Sequence, residues 1–465
     1  MLNLRRAAKT AFVYFAGNVL SKLVIFILFP LYTAYINPVQ YGNYDLACSM
    51  INLIAPIAFV QIWDAVFRFS FDSEKTENKY ALITNSFVVC IIGIFVYIIL
   101  MSITNLFMKF DYYQYIVVYG LAFAFQYVYA YAARVFLNNT LYVFSGVLNT
   151  IVSVVLNVIL IVFFHWDVRS LYISAVVGII LQMVVIEWKL KLIKNFNVKS
   201  IDFKLIAKMV KFSVPLCVAT VSYWLLSGYS RIIINRYVGE YEAGLYAVAN
   251  RLASIVTVVL SIFQFAWNEA AYLMAQDDER KKVYKSFVDI LLKMMCWVIA
   301  ILIIFIKIVF PFYIGLEYQD AVWIIPATIA GVSANAVAAF ISTLFMTEKQ
   351  TSFIMTSTVI ASVFNVALSV FSAKKFGVQG VVVTLMFSFI ILLVLRIWSM
   401  MKQQGILIGK DFLFALGVLL LSTVVFYLTS NAMILIAYLV ILIVLALFDM
   451  RMVIVLCINK WKKEK

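Results

Sequence analysis

Long apolar runs, separated by short polar turns, recur along the whole chain. About 20 such residues are enough to cross a hydrocarbon bilayer as a helix. Fourteen runs can be marked, near residues 9–36, 43–71, 81–104, 113–135, 141–165, 171–190, 210–236, 243–271, 286–310, 320–345, 352–373, 379–401, 411–429 and 432–456. In lipid the backbone polar groups must find partners within the run, so each is expected to be an α-helix. The runs are continuous rather than alternating, which excludes an outer-membrane barrel. Composition agrees. Of 465 residues, 65% are hydrophobic and 13% charged, against roughly half and a quarter in soluble chains. Too few polar residues remain to clothe a large water-soluble catalytic domain. The expected fold is an all-α polytopic membrane protein with 14 transmembrane helices. Pro30, Pro56, Pro215 and Pro326 fall inside spans, where each removes a helical hydrogen bond and predicts a kink. No small-residue cleavage site follows the first run, so a cleavable signal peptide is not expected.

The net charge of +15 would suggest nucleic acid in a soluble protein. Here placement matters more than the sum. With the N-terminus inside, 26 of the 37 lysines and arginines fall at cytoplasmic ends, Arg134 and Arg396 among them. Seven fall at external ends, including Arg231, Arg236 and Lys307, and four lie within spans. This is the positive-inside pattern, which predicts cytoplasmic termini and no nucleic-acid partner. Cys48, Cys90, Cys217, Cys296 and Cys457 all sit in apolar segments with no CxxC or Cys/His cluster, so neither a disulfide framework nor a zinc site is expected.

The longest polar connection runs over 191–209. Lys204, Lys208 and Lys211 share one helical face there, opposite Ile201, Leu205, Ile206 and Met209. Two readings stand side by side: an amphipathic segment on the anionic cytoplasmic leaflet, or a solvated topogenic linker. Either way the chain divides into an N-terminal six-helix lobe (1–195), the linker with a C-terminal six-helix lobe (196–405), and two accessory helices with a basic cytoplasmic tail (406–465). A weak internal repeat links the lobes. Gly42 and Tyr44 recur 202 residues later as Gly244 and Tyr246, each pair opening a long span. Six spans between the copies make this a parallel repeat with its pseudo-twofold along the membrane normal. Two lobes around a central cavity is the plan of an alternating-access transporter.

Catalytic signals are absent. The stretch Gly405 to Asp411 imitates a phosphate loop, but its spacer is one residue short and Asp411 stands where Ser or Thr would hold magnesium. The single histidine, His165, sits at an external helix end; an interfacial role is favoured over a pH-sensing one. External loops are short, which weighs against an enzyme built on a large outer domain. No cofactor is implied.

Ionisable groups within spans are costly and therefore candidates for function. Lys22 is the deepest cation of the first span, with Asn18 one turn away on its face. Arg251 lies about 12 Å into the eighth span. Both are favoured as anion-binding groups. Arg68 belongs to an Asp64, Arg68, Asp72 series spaced by four residues, where a structural charge ladder is at least as favoured. The same holds for Asp289 and Lys293. Arg231 stands near an external mouth and could receive or release an anion; Arg236 is favoured as an interfacial anchor. Asp64 and Glu269 are the candidate ion-coupling acids. Cations dominate, and guanidinium forks suit phosphate oxygens. A basic cavity beside wide hydrophobic surfaces suits a lipid bearing a phosphate and a polar head, with the last two spans extending a groove for its tail.

Two blocks carry a family resemblance. GNVLSKLVIFILFPLYTAYINPVQYGNYDL (17–46) with AVFRFSFD (65–72), and FSVPLCVATVSYWLLSGYSRIIINRYVGEYEAGLYAVANRLASI (212–255) continuing to FAWNEAAY (265–272), resemble bacterial polysaccharide flippases. These belong to the multidrug/oligosaccharidyl-lipid/polysaccharide exporter superfamily. The resemblance implies flipping of an undecaprenyl-diphosphate-linked oligosaccharide from the cytoplasmic to the outer leaflet of the bacterial inner membrane. O-antigen, capsule, exopolysaccharide or teichoic-acid assembly is the implied setting, with a glycan polymerase and glycosyltransferases as partners alongside membrane lipids. Ser21-Lys22 resembles a site where related flippases carry Ser followed by a basic residue. Arg251 stands where polysaccharide flippases often have one. One departure is Ser230-Arg231, where the family frequently has Asp-Arg. If that Asp couples cations elsewhere, coupling here must use another group or the membrane potential, and H+, Na+ and potential stay open. The substrate-binding set is thus Lys22, Arg251, Arg68, Arg231 and Lys293. The competing readings are a drug/cation antiporter of the same superfamily, a membrane glycan polymerase or ligase, and a scaffold subunit of a glycan-assembly complex.

Overall fold

The computed structural model describes residues 27–71, 76–273, 280–347 and 351–451. Lys22 lies outside them, as does the side chain of Glu269. The described residues are helical, with no strand among them. Among them, nine helices are long and apolar enough to cross a membrane, or ten if one bent pair counts as a span; Phe412–Leu428 is a shorter apolar helix.

In chain order the helices are α1 (Phe29–Tyr35), α2 (Pro38–Ala58), α3 (Ile62–Ser70), α4 (Thr76–Met108), α5 (Tyr113–Val135), α6 (Asn139–Val158), α7 (Arg169–Leu190), α8 (Phe203–Ser227), α9 (Tyr229–Tyr237), α10 (Glu240–Leu273), α11 (Arg280–Tyr313), α12 (Ile325–Thr347), α13 (Thr351–Ser399), α14 (Phe412–Leu428) and α15 (Ala432–Asp449). Their starts follow local chemistry. The Asn37 side chain accepts from the Gln40 amide and Pro38 opens α2. Asn138 caps α6 and Asn431 caps α15 in the same way. A side-chain oxygen there satisfies an amide that the helix itself leaves without an acceptor.

Two breaks modify the expected spans. The run at 43–71 is the pair α2 and α3, bent by 55°. Pro56 weakens α2 near its end, and Val60 and Gln61 then adopt left-handed backbone (φ 52° and 43°). The Gln61 amide recovers a bond by donating to the Pro56 carbonyl (2.9 Å). A β-branched residue in that region is strained. The second break is Gly377 (φ 61°, ψ −149°), inside α13. Glycine tolerates that backbone without a Cβ clash. The expected spans 352–373 and 379–401 are therefore two helices that meet at Gly377.

The chain forms two compact units, Met1–Trp224 and Leu225–Lys465. In the first, α8 is tied to the broken span. Trp224 donates to the Ser49 carbonyl (2.9 Å), and Thr220 donates to the Gln61 side chain (3.2 Å). The connection before α8 is pinned too. Asn85 donates to the Ser200 carbonyl and accepts from the Asp202 amide, while Tyr80 donates to the Leu190 carbonyl. It has one short 3-10 turn (Val198–Ser200), and α-helix begins only at Phe203. In the second unit the core lies among α10 to α13, where Ile303, Ile329, Ile341 and Leu344 are fully buried. A Cβ on Gly331 would come within 3.1 Å of the Met386 backbone, so the missing side chain lets α12 and α13 approach closely.

Candidate functional site

In the first unit, α5 repeats an aromatic residue every four positions: Tyr115, Tyr119, Phe123, Tyr127 and Tyr131. Four-residue spacing keeps successive rings neighbours, while the row advances about 40° around the helix at each step. Ring centroids lie 6.4 Å apart for Tyr119 and Phe123, 4.9 Å for Phe123 and Tyr127, and 6.3 Å for Tyr127 and Tyr131. Other helices add to the row. Trp63 of α3 stacks on Tyr127 at 5.0 Å and 28°. Tyr172 of α7 lies 6.3 Å from Tyr119 and meets Tyr44 of α2 edge-on at 5.0 Å. At the Tyr115 end, Gln114, Tyr115, Val118 and Tyr172 line part of an open cavity of about 390 Å³. All five rings on α5 are half-buried.

The other end of the row carries charge. Asp64 accepts a hydrogen bond from Tyr131 and lies close to Arg134. The Arg134 guanidinium sits 4.2 Å from the Phe67 ring centroid, 5.0 Å from Tyr131 and 5.8 Å from Tyr142. Aromatic faces stabilise such a cation where water is scarce. The end of an apolar run does not announce these ring contacts of Arg134. Beside the row, Gln182 accepts from Gln126 (2.7 Å) and Asn149 (2.9 Å), and Ser153 donates to Asn149 (3.2 Å). Asn157 bridges Tyr32 and Ser174 at 3.1 and 2.7 Å. Arg68 is exposed one turn beyond Asp64, and Asp72 lies outside the described residues.

The second unit holds its cations differently. Arg251 is half-buried on α10 with its Nε enclosed by protein, and the Ser254 hydroxyl donates to the Arg251 carbonyl (2.6 Å). Arg231 donates to the Ser227 carbonyl (3.0 Å) and lies 5.7 Å from the Tyr246 ring. Ser230, in the position of the family's frequent Asp, is fully buried, and its hydroxyl has no hydrogen-bond partner among the described residues. Lys293 pairs with the Asp449 carboxylate (2.7 Å), and Trp297 donates to that same carboxylate (2.9 Å). One turn before Lys293, Asp289 accepts from the Gly409 amide (2.8 Å). One face of α11 thus docks both the loop before α14 and the end of α15. That loop is the imitation phosphate loop, and its glycine amide is spent on a carboxylate.

Two more cations were hidden by their position in the sequence. Lys307, placed at a helix end, is buried; it donates to the Phe426 carbonyl and lies 4.6 Å from the Phe426 ring. Arg396, counted as a topological charge, is 6% exposed. It reaches the Ala338 carbonyl (2.8 Å), Thr358 (3.1 Å) and Ser357 (3.4 Å). Arg396 therefore joins α12 to the first arm of α13. Among the described residues Cys90, Cys217 and Cys296 form no disulfide, and the Cys217 thiol donates to the Pro56 carbonyl (3.4 Å).

Solved structures of transport proteins resemble this fold. The structure of lipid II flippase MurJ in an inward closed conformation superposes with a TM-score of 0.69 at 16% identity, covering 95% of this chain and 100% of that one. An inward-facing multidrug resistance MATE family transporter of the MOP superfamily gives 0.68 at 12% identity, with 85% and 98% covered. An outward-facing transporter of that family gives 0.61 at 13%, with 86% and 96% covered. At such identities the likeness concerns the fold. No curated protein sequence matches the chain. Residues 7–267, more than half of the chain, match the model of the family described as polysaccharide biosynthesis protein, and the chain belongs to that family.

Proposed function

We propose that the chain is a flippase that moves an undecaprenyl-diphosphate-linked oligosaccharide from the cytoplasmic to the outer leaflet of the bacterial inner membrane. The observation that carries this reading is the match of residues 7–267 to the polysaccharide biosynthesis family. The fold shared with a lipid II flippase supports it. In this reading the protein has fourteen spans with both termini cytoplasmic, and it works by alternating access without catalysis. Lys22 and Arg251 hold the diphosphate, with Arg68, Arg231 and Lys293 as supporting cations. Arg231 and Lys293 must exchange a carbonyl or carboxylate partner for a phosphate oxygen to take part. Asp64 and Glu269 are the ion-coupling candidates, with H+, Na+ or membrane potential driving the return. A glycan polymerase and glycosyltransferases act before and after it.

Reconstitution into liposomes tests this. Lipid-linked oligosaccharide supplied in one leaflet becomes accessible to a glycosidase on the other side. Lys22→Ala and Arg251→Ala, incorporated at equal level, lower the rate by about tenfold or more, the loss expected for one charge-assisted contact. If both variants flip at the normal rate, the site assignment is wrong. A second reading, ion-coupled export of drugs or organic cations, is favoured by the nearly equal likeness to the multidrug transporter. It predicts proton- or sodium-driven movement of a cationic dye, and no lipid-linked substrate moved.

A further inference from the structure

We propose that the aromatic face of α5 is a sugar-stacking track, on which the pyranose rings of the glycan lie while cations elsewhere hold the diphosphate. The proposal rests on the flippase reading and names the part of the substrate that this surface takes.

Chemistry makes the match. A pyranose presents an apolar face of C–H bonds and an edge of hydroxyls. Tyrosine presents the complementary pair, an apolar ring with a polar tip. Four of the five residues in the row are tyrosine, and the amides Gln126, Gln182 and Asn149 lie alongside. Tyrosine is ordinarily concentrated where a span meets water. Tyr119 and Tyr127 are instead well inside α5. Tyr97 and Tyr246 are closed off (0% and 1% exposed), whereas the five rings in the row remain half-buried, so part of each is open to a ligand.

Length fits as well. From Tyr115 to Tyr131 is sixteen residues, or about 24 Å of helix over which the row winds about 160° around α5, against about 30 Å of hydrocarbon. A glycan that follows the row therefore turns about the helix as it advances. A glycan crossing that distance needs a surface that replaces water for its hydroxyls all the way. The row ends at the Tyr115 and Tyr172 cavity on one side and at Asp64 with Arg134 on the other. Those charged groups can hydrogen-bond the hydroxyls of a terminal sugar. Stacking reads the apolar C–H face, so the track favours sugars whose hydroxyls leave that face clear.

Two soluble probes separate this proposal from the reading beneath it: farnesyl diphosphate, and farnesyl diphosphate bearing one N-acetylglucosamine. Binding to the purified full-length protein is measured by calorimetry. The wild-type protein is expected to bind the sugar-bearing probe more tightly. Tyr119→Leu, Phe123→Leu and Tyr127→Leu each weaken that probe about five- to tenfold and leave farnesyl diphosphate within about twofold. Tyr127→Phe keeps the ring and most of the affinity. Equal losses on both probes, or none, overturn the track. So does a wild-type protein that binds the two probes equally, which needs no variant to fold and leaves the flippase reading standing. A wild-type protein that binds neither overturns both.

Discussion

The two units hold polar groups inside an apolar body with a different emphasis. In the first, side chains answer side chains: Gln126 and Asn149 with Gln182, Asn157 with Tyr32 and Ser174, Tyr131 with Asp64. In the second, long side chains end mostly on backbone carbonyls: Arg231 on Ser227, Lys307 on Phe426, Arg396 on Ala338, Asn365 on Leu226. A carbonyl is fixed by its helix, so a cation bonded to it acts as a brace. A side-chain network can rearrange when a ligand offers hydroxyls in exchange. On the flippase reading, the first unit is the surface that handles a polar cargo and the second the frame that holds it.

The largest effect that would sharpen this contrast is at Arg396. Arg396→Ala removes three charge-assisted bonds and should cost about 2–3 kcal/mol. The Ala338 carbonyl still accepts from Ser342, and the Ser357 and Thr358 hydroxyls still donate to the Ile354 carbonyl. Arg396→Lys should recover little, because one ammonium cannot span acceptors on α12 and α13 at once. Thermal unfolding in detergent measures both. If Lys restores full stability, the brace is only a charge.

Gln182→Leu comes next, at about 1–2 kcal/mol, since it strands the Gln126 and Asn149 donors yet removes no charge. Should it cost more than Arg396→Ala, the contrast between the units collapses. Val60→Gly has the opposite sign. Relief of left-handed strain at a β-branched residue should stabilise by about 1 kcal/mol, less the added freedom of the unfolded chain. A loss of stability there would show that the valine side chain matters more than its backbone.

The smallest effect is in pH. Burial alone would raise the Asp167 carboxyl, but hydrogen bonds from the Arg169 side chain (2.8 Å), the Arg169 amide (3.0 Å) and the Tyr112 hydroxyl (2.8 Å) outweigh it and hold Asp167 below the usual carboxylate range. A depressed folded pKa contributes stability above the unfolded value and loses it as pH falls through the folded one. The loss should therefore come below about pH 4, and Asp167→Asn should remove it. Unfolding midpoints at pH 5 and pH 3 decide.

How far the sequence carried can be judged from particular residues. The run at 113–135 is the helix Tyr113–Val135, because apolar periodicity and bilayer length fix a span with little help from its neighbours. The breaks were harder. Pro56 signalled a kink, yet the bend falls at Val60 and Gln61, where no residue type announces left-handed backbone. The aromatic row was visible as a four-residue repeat but hidden by a hydropathy count that treats tyrosine as one more apolar residue. Arg134 and Arg396 stand at the ends of apolar runs, which is where topological charges stand; only packing from α3, α6 and α12 reveals them as interior. Lys293 had two readings, and Asp449, 156 residues away, supplies the ladder partner that spacing within one helix could not.

The break between α2 and α3 has a mechanical consequence. Trp63, Asp64 and Phe67 ride together on a nine-residue arm whose axis departs by 55° from the helix before it. A substitution that straightens Val60 and Gln61 would therefore displace a stacking ring, an acid and the ring beneath Arg134 together, because all three share one short arm.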